Sequence, residues 1–365
     1  NIKLLRDAGP AGLDALMTAA KPWLHRDDEV GRRTMTALNE VAAQYDAYAS
    51  NLYWYTDLDA ALTEAKRLHR PVLALHLLGD FRSAHTCANS RFFRTMLYPD
   101  PKVQTFLRKH FILYWRNVRD VPQLTIDLGE GRVLKHTFTG NSVHYILDSN
   151  GKVFDALPGV YGPGLFLKRI KDAHLLFEVE GKSAVSDTAM TGAINMARRN
   201  AMQKLPMVSV QNPGPGTPAE ATARAITKSV IEMPILPALM LPINLQRDID
   251  EQQMKALEGA FAPECRLSGE AIAVMRRLED GSSFQSKLAS FSKSVIQDSI
   301  TNDLVLRPQI LNQMLVAPER SLIELNEVVY RDIFRTPLDD PWMGFDQAYS
   351  TIYTGLPHSG LMQSP

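Results

Sequence analysis

The sequence predicts an α/β protein built on a central mixed sheet, with a helical N-terminal extension and a mostly α-helical C-terminal domain. Three observations carry that expectation. Two short, uninterrupted apolar runs, Pro71–Leu78 and Phe111–Trp115, have the length and continuity of strands buried on both faces. A third pair, Val143–Leu147 and Lys152–Ala156, is joined by Asp148-Ser149-Asn150-Gly151, a hairpin signal. Segments between and around these runs carry apolar residues at helical spacing.

Residues 2–48 open the chain with helical periodicity in Leu4, Leu5, Leu13, Leu16 and Met17, then in Met35, Leu38, Val41, Ala42 and Tyr45. Lys21-Pro22-Trp23 divides them into two helices. Residues 1–50 are therefore expected to form the N-terminal extension, and residues 51–180 the α/β unit. In that unit Asp57 is placed to cap a helix presenting Leu58, Ala61, Leu62, Ala65 and Leu68. A helix starts near Cys87, and Asp100-Pro101 opens another, with proline in the first turn and Val103, Phe106 and Leu107 inward. Leu165 to Phe177 closes the unit as a helix. Residues 181–218 combine a helix over 182–204 with a Pro/Gly-rich linker ending in Gln211-Asn-Pro-Gly-Pro-Gly-Thr-Pro218. Residues 219–365 form the helical C-terminal domain, with helices over about 219–231, 248–260, 268–279, 283–299 and 318–334 and an irregular tail in which Trp342, Phe345 and Tyr349 pack onto the body.

Composition narrows the function classes. Among 365 residues, 40 basic and 40 acidic side chains cancel, so no net field draws the chain to nucleic acid or an anionic membrane. The longest apolar stretch, Met233–Ile243, is about half the length of a bilayer span and is interrupted by Pro234, Pro237 and Pro242. It reads as an irregular buried segment. Two cysteines, Cys87 and Cys265, are too few for a disulfide framework. The chain begins at Asn1 without an initiator Met, which fits a cleaved leader as well as a trimmed chain. The compartment stays open, with a periplasmic or otherwise exported location favoured over the cytosol.

The segment Cys87-Ala88-Asn89-Ser90 follows the first central strand. Together with the order β-α-β-α-β-β-α, the stretch Leu97-Tyr-Pro-Asp-Pro-Lys-Val103, whose valine lies sixteen residues after Cys87, and the hairpin Ile146–Val153, it resembles the thioredoxin-like fold over residues 52–178. The resemblance puts Cys87 in the place of the nucleophilic cysteine and Ser90 in that of the resolving cysteine. It also puts Val143 in the place of the family's cis-proline and Thr86 in that of an aromatic residue. A mixed disulfide at Cys87 then has no resolving thiol within the motif. A non-proline cis bond costs about 3 kcal/mol, so a trans peptide is expected at Val143.

Three readings of this corner compete. In the first, Cys87 is a buried small hydrophobe left from an ancestral motif. The chain is then a non-catalytic thioredoxin-like binding or scaffold protein, an accessory subunit of a larger assembly with protein partners and no cofactor. In the second it is a monothiol thiol–disulfide oxidoreductase, with Cys87 activated at a helix N-terminus beside His85 and with Ser90 donating to the thiolate. In the third, His85, Cys87 and His144 hold a metal or cofactor, although their spacing matches no zinc signature. The first is favoured.

Other motifs read plainly. Asp339-Asp340 before Pro341 is a turn, and Glu324 and Glu327 are a solvated helix face rather than paired acid–base carboxylates. His358-Ser359 lacks a nucleophile elbow. Gly129-Glu-Gly131 and Gly159–Gly164 are turns without the context of a phosphate loop. The methionines Met233, Met240, Met254, Met275 and Met314 are core positions that a partner helix could also use.

Overall fold

The computed structural model describes residues 1–24, 26–137, 140–181, 249–278 and 284–341, with Met196 and Met343. Nearly all of the helix expected over 182–204, the linker 206–218, the helix 219–231, the segment Met233–Ile243 and the tail residues Trp342, Phe345 and Tyr349 lie outside the described residues.

Helices α1 (Ile2–Asp7), α2 (Pro10–Ala20) and α3 (Glu29–Ala42) form the N-terminal extension, and the break after α2 falls at Lys21-Pro22-Trp23. Asp28 caps α3 by accepting from the Gly31 amide at 2.9 Å. Leu13, Ala20, Leu38, Val41 and Ala42 close a small core of their own with Ala47 of α4 (Ala47–Ser50).

The central layer is a mixed α/β arrangement. Asp57 caps α5 (Leu58–Leu68) through the Ala60 amide, and the chain then enters β1 (Val72–Leu78), buried along its whole length. Helix α6 (Ala88–Phe92) runs directly into a π-helical turn, Phe93–Leu97. Asp100 caps α7 (Pro101–His110), with Pro101 in the first turn where a missing N–H costs nothing. Strand β2 (Ile112–Arg119) follows, then a hairpin of β3 (Gln123–Asp127) and β4 (Val133–Thr137), then β5 (Ser142–Leu147), β6 (Val153–Pro158) and α8 (Pro163–Gly181). The four-stranded sheet has the order β2-β1-β5-β6, with β2 parallel to β1 and the β1/β5 and β5/β6 pairs antiparallel. Tyr55 adds a parallel bridge to Tyr114 on β2.

The period of two along β1 assigns its side chains to two cores. Leu73, Leu75 and Leu77 enter one with Trp54, Phe93, Tyr98 and Phe166. Val72, Ala74 and Leu78 enter the other, whose cover comes from α5 and the C-terminal helices. The latter are α9 (Glu251–Phe261), α10 (Gly269–Leu278), α11 (Phe284–Thr301), a π turn Asn302–Leu306, α12 (Arg307–Val316), α13 (Leu322–Val328) and a π turn Val329–Ile333. Leu304, Ile310, Leu325, Tyr330 and Phe334 lie in one continuous core with Val72, Val143 and Tyr145 of the sheet. The expected helix over 318–334 is thus α13 and the turn after it. Glu324 completes a capping box with Ser321, so its carboxylate serves the helix start.

A buried ionic cluster pins this cover to the sheet. Both Asp155 carboxylate oxygens on β6 accept from Arg307 at 3.0 Å, and Arg169 on α8 donates to Asp303 at 2.9 and 2.5 Å. Asp303 and Arg307 lie one helical turn apart, 3.9 Å between charged atoms. The two carboxylates hold the Arg307 guanidinium further above its ordinary pKa, against a desolvation that lowers it.

Candidate functional site

Cys87 is the N-cap residue of α6, where β1 gives way to helix, and its amide donates to the Leu78 carbonyl at 3.4 Å. Its thiol is wholly buried. The sulfur lies 3.0 Å from Ser90 Oγ, one turn along, so the two motif positions identified in the sequence meet in space. The thiol belongs to the core shared by the sheet and the C-terminal helices, with Val121, Val143 and Tyr330 in the same cluster. The Tyr330 hydroxyl donates to the Asn141 carbonyl at 3.1 Å, which ties the turn after α13 to the loop before β5.

That loop presses onto the start of α6. A Cβ at Gly140 would stand 2.9 Å from Asn89 Oδ1 and 3.0 Å from the Asn89 amide nitrogen, so only glycine allows this approach. Asn89 Nδ2 donates to Ser142 Oγ at 2.9 Å, and Asn141 donates to the Thr336 hydroxyl at 2.8 Å. On the other side, the Thr86 carbonyl accepts from Arg91 at 2.5 Å and from the Thr137 hydroxyl at 2.8 Å. No peptide bond among the described residues is cis, so the bond before Val143 is trans, as its cost predicts. The corner is therefore closed by its own loop and by the turn after α13.

The three candidate ligands do not converge. His85 is exposed before α6. His144 is fully buried on the other face of β5, where its Nε2 meets the Tyr98 hydroxyl at 2.7 Å and its ring packs on Phe93 and Phe166. Burial lowers its pKa to about 3, and the same burial raises the Tyr98 phenol well above its ordinary value. Among the described residues no three His, Cys, Asp or Glu side chains are grouped to hold a metal. Cys87 and Cys265 are both free and buried.

Sequence reasoning passed over His76. It stands among the apolar residues of β1, buried to 1 % exposure, with neither ring nitrogen hydrogen-bonded. Asn326 of α13 lies beside the ring and favours its charged form, yet it falls outside hydrogen-bond geometry with either nitrogen. Desolvation dominates and lowers the imidazole pKa to about 4. His76 lines a cavity of about 410 Å³ between β1, β2 and α13. A lone histidine inside an apolar run was the available signal. The cavity itself depends on helices far along the chain and left no local mark.

The chain matches no known protein family, no curated protein and no solved structure.

Proposed function

We propose that the chain is a non-catalytic thioredoxin-like binding or scaffold protein that acts as an accessory subunit of a larger protein assembly. The likeness is supported by the motif-bearing helix that follows β1, by the parallel return of β2 and by the antiparallel β5–β6 hairpin. The observation that carries the non-catalytic reading is the burial of the Cys87 thiol beneath Tyr330 and the loop before β5. A nucleophilic thiol must meet its disulfide in line and ionise to react. Here access is closed, no second thiol is present in the motif and no cavity opens on the sulfur among those described. What the fold offers instead is surface, and surface serves contacts with other proteins.

The test is the state of the chain in its own cells. Gentle native purification is expected to yield a defined complex with a stoichiometric protein partner, reproduced when purified components are mixed. A monodisperse monomer from those cells would overturn the scaffold reading.

The contact of Cys87 Sγ with Ser90 Oγ supports a second reading, a monothiol oxidoreductase in which Ser90 stabilises the thiolate. It predicts glutathione-disulfide turnover that disappears in Cys87→Ser. Equal background rates for the two chains would remove it.

A further inference from the structure

The β3–β4 ribbon stands apart from the rest of the molecule. It forms a two-stranded sheet of its own and joins no strand of the central sheet. Among the described residues, none of the three apolar cores includes a member of Gln123–Thr137. Leu128 and Val133 near its tip are 58 % and 46 % exposed. A two-stranded ribbon is marginal in water, and further strands are what stabilise it.

Its two outer edges differ. The Leu128 amide donates to the Arg132 carbonyl at 2.8 Å, which closes the turn. Antiparallel pairs alternate between bonded and non-bonded. Counted from the turn, Gln123, Thr125 and Asp127 of β3 and Val133, Lys135 and Thr137 of β4 therefore aim their backbone groups away from the ribbon. The β4 edge is guarded. Lys135 stands at its centre, while the Thr137 hydroxyl donates to the Thr86 carbonyl at 2.8 Å and accepts from Arg91 at 2.6 Å. On β3, Gln123, Thr125 and Asp127 are all exposed, and among the described residues none has a backbone hydrogen bond to another element.

That bare edge is complementary to itself. Two β3 strands set antiparallel about Thr125 place Thr125 opposite Thr125, and Gln123 opposite Asp127 twice by symmetry. A threonine pair and an amide facing a carboxylate are favourable cross-strand neighbours, and no like charges meet. Exposed Leu128 then comes opposite Pro122 of the other copy. Two β4 strands paired in the same way would bring Lys135 onto Lys135.

We propose that β3 is the dimer interface of this chain, pairing with β3 of a second copy in a four-stranded sheet of order β4-β3-β3-β4. The arrangement is isologous and closed, because its new outer edges are the two guarded β4 strands. It needs no other protein and so goes beyond the scaffold reading without resting on it. Sedimentation velocity of the purified full chain, with no other protein present, is the test. A species of twice the chain's mass is expected across the micromolar range. Thr125→Lys, at an exposed position that leaves the cores intact, sets two ammonium groups on the symmetry axis and should weaken the dimer about tenfold. Thr125→Cys should form an interchain disulfide with oxidised glutathione as oxidant, since the facing Cα atoms of a bonded pair, about 5.5 Å apart, suit one. Lys135→Cys, separated from its counterpart by both β3 strands, should not. The native cysteines are buried and give no background. A monomer throughout the range would overturn the proposal. So would a dimer that Thr125→Lys leaves intact, or Lys135→Cys cross-linking as readily as Thr125→Cys.

Discussion

His76 and His144 sit on adjacent strands of one sheet, one residue out of register, and face opposite ways. The pairing of Leu75 with His144 and of His76 with Val143 places one ring in each core. On the first face His144 is sealed by Phe93 and Phe166 and bonded to Tyr98, a partner that arrives from the turn following α6. On the second face His76 meets Tyr145 at 5.2 Å between ring centroids and has no hydrogen bond, with a cavity before it. The same residue type is therefore hydrogen-bonded on one face of the sheet and without a hydrogen bond on the other. The first face is closed mostly by residues within the first 180, Trp54, Phe93, Tyr98 and Phe166 among them, with Leu267, Ala271 and Val295 completing it from the C-terminal helices. The second is closed by α5 and by distant helices held through buried charges, and it is there that both the Cys87 thiol and the cavity lie.

The difference can be broken most forcefully at the ionic cluster. Arg307→Ala strands Asp155 in a buried site and is expected to cost about 3–5 kcal/mol in urea-induced unfolding. A loss below ~1 kcal/mol would mean that the cover is not pinned in this way. Acid should act next, and on both faces. The two histidines have native pKa values of about 4 and about 3, below the ordinary imidazole value near ~6.5. Each contributes stability that is complete above about pH 6.5 and is lost as pH falls through its native value. Unfolding free energies are expected to drop by about 3 kcal/mol for each ring between pH 7 and pH 4. A flat profile would contradict the burial of both rings.

Single replacements then separate the rings. His144→Leu removes the partner of the Tyr98 hydroxyl and should cost about 1–3 kcal/mol. His76→Leu removes no hydrogen bond and takes away two unmet buried nitrogens, so it should leave stability unchanged or raise it by about 1–3 kcal/mol. Equal losses at the two positions, measured by the same unfolding experiment, would erase the distinction between the faces.

Much of the first face was legible in the sequence. The apolar continuity of Val72–Leu78, the caps Asp57 and Asp100 and the Asp148–Gly151 turn are local signals, and each element stands where its signal put it. The β3–β4 hairpin was not legible, because its strands lie outside the main sheet and lack the apolar runs that marked the others. Arg307–Val316 escaped for a different reason. Pro308 reads as a breaker, yet it occupies the first turn of α12, where it is tolerated. Cys87 and Ser90 were legible as a pair because they are one helical turn apart. The roof over them was not, since Tyr330 is brought in from another part of the chain by packing and by the Asp155–Arg307 contact, which carry no sequence pattern.

The central claim is that the thiol corner is closed, and alkylation of Cys87 in the native chain tests it most directly. Iodoacetamide labelling, with peptide mapping to separate Cys87 from Cys265, is expected to leave Cys87 unmodified under native conditions and to modify it at the rate of a free thiol once urea unfolds the chain. Labelling of native Cys87 at the free-thiol rate or faster would contradict a closed corner and would restore the monothiol reading.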